Sequence, residues 1–481
     1  MSRRAVLTNY DHQSFFCELT GRVGENQPGT VEICRLLDKI GLQSLERRAR
    51  NAERELYNLG ITFTVYSDAE AIDRILPFDV IPRVITAADW AVIDRGVRQR
   101  VKALNLFLAD IYHDQKILKD GVIPAELVLT NANYQKVMQG LDLPQGTYVH
   151  ICGIDVVRDE AGAFKVLEDN ARCPSGVSYV VENRHLMLRT FPDLMDNIGI
   201  RRVSDYGLHL QNALAEVAPA NIDNPQVVLL SPGFYNSAYF EHVFLAREMG
   251  VPLVEGQDLF VDDDDCLYMR TVAGPIRVDV VYRRINDDFL DPKAFRKDSA
   301  LGVPGLMRAY AKGRVTLANA VGTGVADDKA VYAYMPRIIR YYLDEEAILD
   351  NVETHICAEP EALKYTLDHL SELVVKPVGE AGGYGVVVGP QASAAELDAL
   401  RAQVKADPAN YISQPVISLS VSPTLLNGEV VPRHVDLRPF AVTGKDTWVL
   451  PGGLTRVALK KGSLVVNSSQ GGGSKDTWVL E

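Results

Sequence analysis

The sequence predicts a mixed α/β protein, and three stretches of the chain carry this prediction. Residues 226–254 have the pattern of a buried strand, a helix and the start of a second strand, which is the βαβ order of a parallel sheet. Residues 147–170 alternate side-chain character on both sides of a turn, which predicts a β-hairpin. From Tyr411 onward, short β-rich runs are separated by turn residues. A chain of 481 residues is long enough for about two to four domains.

Composition narrows the classes of function. The chain is 47% hydrophobic and 23% charged, as in a typical globular protein, and its net charge of −13 argues against a nucleic-acid-binding surface. Any strongly anionic ligand must therefore be held by a local basic cluster. No apolar run approaches the roughly 18 residues that span a bilayer, so we expect a cytoplasmic protein without a membrane partner. The six cysteines include no C-x-x-C pair, and this indicates neither a zinc site nor a disulfide framework.

The first part of the chain is predicted to be mainly helical. Apolar residues between 32 and 59 have helical spacing, and a short β-like run follows at 61–66. The strongest helical pattern begins at Thr86, with Asp89 three residues later in a variant of the capping box. Three arginines are expected on the solvated face of this helix. They are Arg95, Arg98 and Arg100.

The hairpin at 147–170 carries a candidate metal site. If the turn lies at 159–162, Asp155 is opposite residue 166 or 167, one step from Glu168, while Glu168 and Asn170 project from one face. Three oxygen ligands then converge, and such a set suits Mg²⁺ held together with substrate phosphates. A surface hairpin with solvated acidic residues is the alternative, and for any single carboxylate it is the more common situation.

Two later segments offer candidate substrate contacts. The polar loop after the hairpin can orient a carboxylate, although any turn has a similar composition. The loops at the carboxyl ends of the strands in the predicted parallel sheet are where ligands bind in such folds. One of the two adjacent arginines at the second strand is expected to be structural. The candidates are Arg172, Ser175, Ser178, Tyr235, Asn236, Arg283 and Arg284.

The last third of the chain supplies a basic, glycine-rich segment. Asp328 and Lys329 are predicted to open a helix, and the apolar strand 373–377 contains Lys376. The glycine-rich β-turn-β at 379–388 follows, in which backbone N–H groups can approach phosphates closely. This segment is neither a Walker A motif nor a dinucleotide fingerprint, because no helix follows the glycines.

Taken together, these motifs resemble the ATP-grasp superfamily, and more narrowly its circularly permuted type 2 members, relatives of the synthetase part of glutathionylspermidine synthase. In an ordinary ATP-grasp ligase the acidic Asp…Glu-x-Asn motif comes last, whereas here it comes first and the other motifs follow in the family's order. The resemblance covers nearly the whole chain. Three further segments are similar to hallmarks of the permuted family: GFYNSAYFEH (233–242), VGTGVADDK (321–329) and VVNSSQGGGSKDTW (465–478).

The resemblance implies a circularly permuted ATP-grasp fold with a Rossmann-like pre-ATP-grasp domain and a helical N-terminal region. We expect four parts: a mainly helical region at 1–120, the metal-binding part of the ATP-grasp domain at 121–217, the pre-ATP-grasp domain at 226–320 and the nucleotide-binding part at 321–481.

The resemblance also implies roles for individual residues. Asp155, Glu168 and Asn170 would bind the metal. Lys329 and Lys376 would contact the nucleotide phosphates. The phosphate-covering loop would be formed by Gly382, Gly383 and Gly385, and the adenine hinge by Gln414, Pro415 and Val416. The residues facing the γ-phosphate and the activated carboxylate would be Arg438, Arg456 and Asn467.

The function that follows is an ATP-dependent carboxylate–amine ligase that uses Mg²⁺, or alternatively Mn²⁺, and proceeds through an acyl phosphate. Two alternatives remain: a phosphotransferase on the same fold without an amine acceptor, and a nucleotide-binding scaffold without turnover. The substrates are a small-molecule or peptide carboxylate and an amine. Their identity does not transfer from glutathionylspermidine synthase, because Gly153 stands where that enzyme has an arginine two residues before the metal-binding aspartate.

Overall fold

The computed structural model describes residues 6–23, 27–66, 71–196, 198–220, 222–379, 385–463, 466 and 471–481. Within these ranges the chain forms a mixed α/β fold, as predicted. No helix in this part of the chain is both long and apolar enough to cross a membrane.

The N-terminal region combines helices with three strands. Its elements are α1 (Val31–Ile40), α2 (Leu42–Asn58), β1 (Thr62–Tyr66), β2 (Ala71–Ile75), β3 (Phe78–Ile85) and α3 (Ala87–Tyr112). Helix α3 begins where the sequence predicts, because the Thr86 side chain accepts a hydrogen bond from the backbone N–H of Asp89 at 3.1 Å. The predicted apolar stripe of α3 is buried.

One prediction about α3 is wrong: Arg100 is not on a solvated face. It is 1% exposed, and its guanidinium donates to both carboxylate oxygens of Asp169, at 2.6 and 2.8 Å, and to Asn351. Arg95 is exposed, as expected. The difference arises because Arg100 lies where the helix packs against the sheet, and a buried guanidinium needs a carboxylate partner.

The predicted hairpin is present and is followed by helices. The elements are α4 (Lys116–Lys119), α5 (Ala125–Leu129), β4 (Ile151–Arg158), β5 (Phe164–Asn170), α6 (Val177–Thr190), α7 (Pro192–Met195) and α8 (Tyr206–Glu216). The register differs from the predicted one, because Asp155 lies directly opposite Glu168. A bulge next to Asp155 adds one residue to β5, so that Val156 pairs with Val166.

The predicted βαβ unit forms part of a four-stranded parallel sheet. This region contains β6 (Val227–Leu230), α9 (Tyr239–Met249), β7 (Leu253–Val254), β8 (Leu259–Val261), β9 (Leu267–Met269), β10 (Ile276–Val278), β11 (Val280–Arg283), α10 (Asp287–Leu290), α11 (Leu306–Ala311) and β12 (Thr316–Ala318). The parallel sheet has the order β12-β11-β6-β7. Gly250 ends α9 in the left-handed region at φ 67°, where glycine is favoured.

A second four-stranded sheet follows, and this one is antiparallel. The elements are α12 (Lys329–Ala333), α13 (Met335–Leu343), β13 (Asp350–Asn351), β14 (His355–Ile356), α14 (Pro360–Asp368), β15 (Leu373–Pro377), β16 (Val387–Val388), α15 (Ala394–Ala406) and β17 (Tyr411–Pro415). The sheet order is β14-β17-β15-β16. It has its own small core, formed by Cys357, Leu370, Val375, Leu400 and Val404.

The C-terminal strands complete a ten-stranded sheet around the hairpin. They are β18 (Val421–Leu426), β19 (Glu429–Arg438), β20 (Phe440–Thr443), β21 (Thr447–Val449), β22 (Leu454–Val457) and β23 (Gly473–Val479). The main path is β13-β5-β4-β19-β22-β23-β3, with β18 on β19, and with β20 between β4 and β21. This path places the early hairpin directly beside strands from the end of the chain.

Candidate functional site

The acidic residues of the hairpin lie together on one face. Asp155 on β4 is opposite Glu168 on β5, and Asn170 is opposite Gly153, so the three polar side chains share the face predicted for them. Asp155 is 1% exposed, whereas the Glu168 side chain is 25% exposed. Among the described residues, the buried amide nitrogen of Asn170 has no hydrogen-bond partner.

Two arginines from the neighbouring strands hold Asp155. Arg438 on β19 donates from Nε at 2.5 Å and from Nη2 at 2.8 Å to the two carboxylate oxygens, and Arg456 on β22 donates from Nη2 at 2.6 Å. Burial alone would raise the pKa of Asp155, but these two guanidinium groups outweigh it and hold the pKa well below its usual range.

Asp436 orients Arg456 from the other side. Its carboxylate accepts from Arg456 Nε at 3.0 Å and from Nη2 at 2.5 Å. Asp436 is not among the residues predicted from the sequence, although it is two residues before Arg438 on the same strand and therefore faces the same side of the sheet. The two-residue spacing between Asp436 and Arg438 is the sequence signal that could have identified Asp436 as a site residue.

Gly153 leaves the space that Arg438 occupies. A Cβ atom at this position would lie 3.1 Å from Cδ of Arg438 and 3.2 Å from Cβ of Pro174. A side chain at this position would require Arg438 or Pro174 to shift by a few tenths of an ångström. This close approach is a physical reason for glycine at a position where the sequence departs from glutathionylspermidine synthase.

The two predicted lysines reach the same region from different elements. Lys329, the first residue of α12, places Nζ 3.7 Å from Oε2 of Glu168. Lys376 on β15 donates to Oε1 of Gln414 at 2.6 Å. Burial lowers the pKa of Lys376 to about 8, an effect that the negative charge of Glu168 opposes and the positive charge of Lys329 reinforces.

The proposed hinge is partly buried. Gln414 on β17 is 2% exposed and also donates from its amide nitrogen to Thr354. Pro415 ends β17, and Val416 follows it with intermediate exposure. Of the predicted loop residues, Gly385 has a φ of 70°, in the left-handed region that favours glycine. Gly382, Gly383 and Asn467 lie outside the described residues.

The loop after the hairpin is tied to the parallel sheet through Arg284 and Glu241. Arg284 donates to the Pro174 carbonyl at 2.7 Å, to the Ser175 hydroxyl at 2.5 Å and to Glu241 at 3.1 Å. The Ser175 carbonyl accepts from Arg438 Nη1 at 3.2 Å. Ser175 therefore links Arg284 with an arginine of the acidic site.

Other substrate candidates have structural partners. Ser178 is fully buried, and its N–H and hydroxyl both donate to Glu241, which also accepts from the N–H of Gly176. Arg283 is fully buried and donates to the carbonyls of Ile285, Asn319 and Ala320. Arg283 is thus the structural member of the adjacent pair, and Arg284 is the one that faces the loop.

The remaining candidates lie on loops. Tyr235 is 78% exposed, and its ring centroid lies 4.0 Å from that of Phe234. The Asn236 side chain accepts from the N–H of Ala238 at 2.9 Å. Both contacts are local to the loop after β6. Arg172 Nε lies 3.4 Å from Oδ2 of Asp327, close to the acidic residues of the hairpin.

The acidic face fits a divalent cation. Among the described residues, no group of three or more His, Cys, Asp or Glu side chains is arranged to hold a metal ion. A cation at the hairpin would therefore depend on the carboxylates of Asp155 and Glu168 and on the amide oxygen of Asn170. Mg²⁺ is commonly held in this way, with water and phosphate completing its shell. The pKa of Glu168 is raised by burial and by the adjacent charge of Asp155. A bound cation would offset the repulsion between these two carboxylates.

Comparison with known proteins identifies the family. The family model "Circularly permuted ATP-grasp type 2" matches residues 82–458. The chain therefore belongs to the circularly permuted type 2 ATP-grasp family. This membership supports an ATP-dependent ligase in general, which uses a nucleotide, a divalent metal and small-molecule substrates.

Related sequences cover most of the chain. An uncharacterized protein of Synechocystis is 52% identical over 476 residues, which is 99% of each chain. An uncharacterized protein of Mycobacterium tuberculosis is 54% identical, over 91% of this chain and 78% of its own length. The Frankia alni protein named "Putative glutamate--cysteine ligase 2-3" is 44% identical over 96% of this chain, which spans 53% of that protein.

A solved structure supports the fold. The glutathione synthetase-like effector of Globodera pallida, in its apo form, matches with a TM-score of 0.58 over 91% of this chain and 97% of its own. Its sequence identity is 13%, so the likeness shows the fold alone.

Proposed function

We propose that this protein is an ATP- and Mg²⁺-dependent carboxylate–amine ligase that forms an acyl phosphate and releases ADP and phosphate. One observation carries the proposal: the fold gathers Asp155 and Glu168, two arginines and Lys329 around one face of the hairpin. Opposite charges gathered on a partly buried face suit phosphoryl transfer, which depends on positioning and on offsetting charge.

The proposed nucleotide position follows from the basic groups. Lys329 and Lys376 contact the phosphates, and the backbone of the glycine loop with Gly382, Gly383 and Gly385 covers them. Gln414, Pro415 and Val416 form the hinge beside the adenine. Asp155, Glu168 and Asn170 would hold Mg²⁺ or Mn²⁺, which neutralises phosphate charge when bound.

The reaction needs two transfers. A carboxylate oxygen of the acid attacks the γ-phosphorus and ADP leaves; the amine then attacks the acyl carbon and phosphate leaves, carrying that oxygen. Arg438, Arg456 and Asn467 face the transferred group, since planar guanidinium groups match both carboxylate and phosphate. A closed site protects the acyl phosphate from water.

The substrate end is proposed to lie beside the loop after the hairpin. Arg172, Ser175 and Arg284 are the groups that we expect to meet the acid or the amine, with Tyr235 and Asn236 farther out on the strand-end loop. Ser175 supports this position, because it contacts both Arg284 and Arg438. Ser178 and Arg283 support the loop and the sheet.

The test is a screen of acid and amine pools for ADP release by the full-length protein with MgATP. Glutamate and cysteine belong in the first pools, because the Frankia relatives carry the name of a glutamate–cysteine ligase. Once a pair is found, ¹⁸O placed in the substrate carboxylate should appear in the released phosphate.

Other outcomes would assign another function. A stable phosphorylated product without an amine requirement would indicate a phosphotransferase, and ATP binding without consumption across all pools would indicate a scaffold. Release of AMP and pyrophosphate, or of phosphate free of label, would rule out the acyl-phosphate route.

A further inference from the structure

The side chains of Asn319 and Asp327 are distant from the hairpin in sequence but form hydrogen bonds with the backbone that follows Asn170. The carboxylate Oδ1 of Asp327 accepts from the N–H of Ala171 at 2.5 Å and from that of Arg172 at 3.0 Å. The amide Nδ2 of Asn319 donates to the carbonyl of Ala171 at 2.8 Å and to that of Arg172 at 3.2 Å. Ala171 and Arg172 therefore each have both the backbone N–H and the carbonyl hydrogen-bonded.

Asn319 also holds the other strand of the hairpin. Its Oδ1 accepts from the N–H of His150 and of Ile151, both at 2.7 Å, and its Nδ2 donates to the Ile151 carbonyl at 2.7 Å. Asn319 is 2% exposed and directly follows β12, an edge strand of the parallel sheet. One side-chain amide thus joins the start of β4 and the end of β5 to that sheet.

Asp327 joins the same backbone to the basic half of the site. It lies two residues before Lys329, whose ammonium is 3.7 Å from Glu168. Its second oxygen, Oδ2, lies 3.4 Å from Nε of Arg172. A displacement of Asp327 would therefore move both the segment after Asn170 and the start of α12.

We propose that Asn319 and Asp327 are positioning residues that fix Asn170 and Glu168 in the geometry for cation and nucleotide binding. This inference rests on the proposed function. Neither side chain contacts the cation; both act through the peptide groups at 171 and 172. Groups that orient ligands in this way typically change metal affinity by about 10-fold to 100-fold when they are removed.

The alternative is that these side chains only satisfy buried peptide groups, as any buried backbone requires. Asp291 provides a matched control for that role. It is 1% exposed, and its carboxylate accepts from the N–H groups of Gly305 at 3.0 Å and Met307 at 2.9 Å, at the start of α11, which the proposed site does not use. Asp291→Ala removes comparable bonds without touching the hairpin.

The experiment measures Mn²⁺ affinity of the full-length protein by electron paramagnetic resonance, with a non-hydrolysable ATP analogue present. Asp327→Ala and Asn319→Ala are expected to weaken Mn²⁺ binding by about 10-fold to 100-fold. Asp327→Asn keeps an acceptor oxygen and should recover most of the affinity. Asp291→Ala should bind Mn²⁺ as the wild type does, even if it is less stable.

A second measurement needs no metal. Hydrogen exchange of the amides of Ala171 and Arg172 should become faster in Asp327→Ala and should remain slow in Asp291→Ala. If Asn319→Ala does not fold, the Asp327→Ala and Asp327→Asn pair decides the question alone.

The outcomes separate this inference from the proposed function. If the wild type binds Mn²⁺ and Glu168→Gln does not, but Asp327→Ala binds it as tightly as Asp291→Ala, then the positioning role is wrong and the proposed metal site stands. If the wild type binds no Mn²⁺ with the analogue, the proposed metal site itself is wrong.

Discussion

Glu168 is subject to opposing electrostatic influences. Burial and the neighbouring charge of Asp155 raise its pKa, while the ammonium of Lys329 lowers it. The carboxylate is also the more accessible of the acidic pair, since its side chain is 25% exposed and that of Asp155 is 1% exposed. Of the two carboxylates, Glu168 can therefore be replaced with the smaller effect on packing.

We expect Glu168→Gln to abolish measurable turnover, a loss of at least about 10²-fold to 10³-fold, because it removes a charge from the site without removing volume. The thermal unfolding temperature should remain close to that of the wild type. Glu160→Gln, in the exposed turn of the same hairpin, is the matched control and should be fully active. Full activity of Glu168→Gln would show that this carboxylate is not part of the catalytic site.

Lys376 carries a pH-dependent charge. Burial lowers its pKa to about 8 from the ordinary value of 10.5, so a substantial part of the ammonium is lost just above neutral pH. Phosphates attract only the protonated form, and binding therefore takes up a proton above this pKa. ATP affinity should fall as pH rises through 8 and should be largely constant below it.

The measurement is the Kd for a non-hydrolysable ATP analogue between pH 7 and pH 10. The expected slope approaches about tenfold per pH unit well above the pKa, since each unit leaves about a tenth of the ammonium. Lys376→Arg should flatten the profile, because a guanidinium stays charged throughout this range. A wild-type profile as flat as that of Lys376→Arg would contradict contact between this lysine and the phosphates.

At the scale of elements, helix α3 supports the hairpin from behind. Arg100 on α3 forms a two-point ion pair with Asp169, the residue between Glu168 and Asn170 on β5. Asp169 points away from the acidic face because side chains alternate along a strand. The helix thus holds the strand without taking part in the site.

We expect Arg100→Met to destabilise the protein by about 3 to 5 kcal/mol, because it leaves the Asp169 carboxylate buried without a partner. The double variant Arg100→Met/Asp169→Asn should recover much of this loss. Urea unfolding followed by circular dichroism measures both. Arg95→Met, on the exposed side of the same helix, should change stability by less than about 0.5 kcal/mol. If Arg100→Met loses no more stability than Arg95→Met, then the ion pair between Arg100 and Asp169 contributes little.

At the scale of the molecule, the candidate site is assembled from parts that are distant in the chain. The hairpin contributes Asp155 and Glu168, the C-terminal strands contribute Arg438 and Arg456, and Lys376 comes from the separate antiparallel sheet. A nucleotide in this position would contact the ten-stranded sheet and the smaller sheet at once.

We therefore expect MgATP analogue to stabilise both sheets together. At a concentration of about 100 times its Kd, the ligand should stabilise the folded state by about 2.7 kcal/mol. Hydrogen exchange should slow both in the hairpin at 151–170 and in β15 and β17. Protection of β15 and β17 without the hairpin would indicate a nucleotide site that does not include the acidic residues.

The local sequence was sufficient for the elements that position the site. The hairpin, the βαβ unit, the start of α3 at Thr86 and the helix capped by Asp328 all follow from side-chain periodicity and from turn or capping chemistry. These signals depend only on residues that are close together in the chain, so the sequence alone is enough to predict such elements. The motif order, through the family resemblance, also predicted one shared site for the acidic hairpin, the lysines and the C-terminal arginines, and the shared function of these residues stays a prediction.

Only the tertiary structure decided how those elements meet. The pairing of Asp155 with Arg438 joins residues 283 positions apart, and the burial of Arg100 and the bonds of Asn319 depend on which elements pack together. Periodicity shows which face of an element is apolar, but it does not show which partner covers that face. The bulge that sets Asp155 opposite Glu168 was likewise not predictable from the local sequence, because the register of a strand depends on its contacts with the whole sheet.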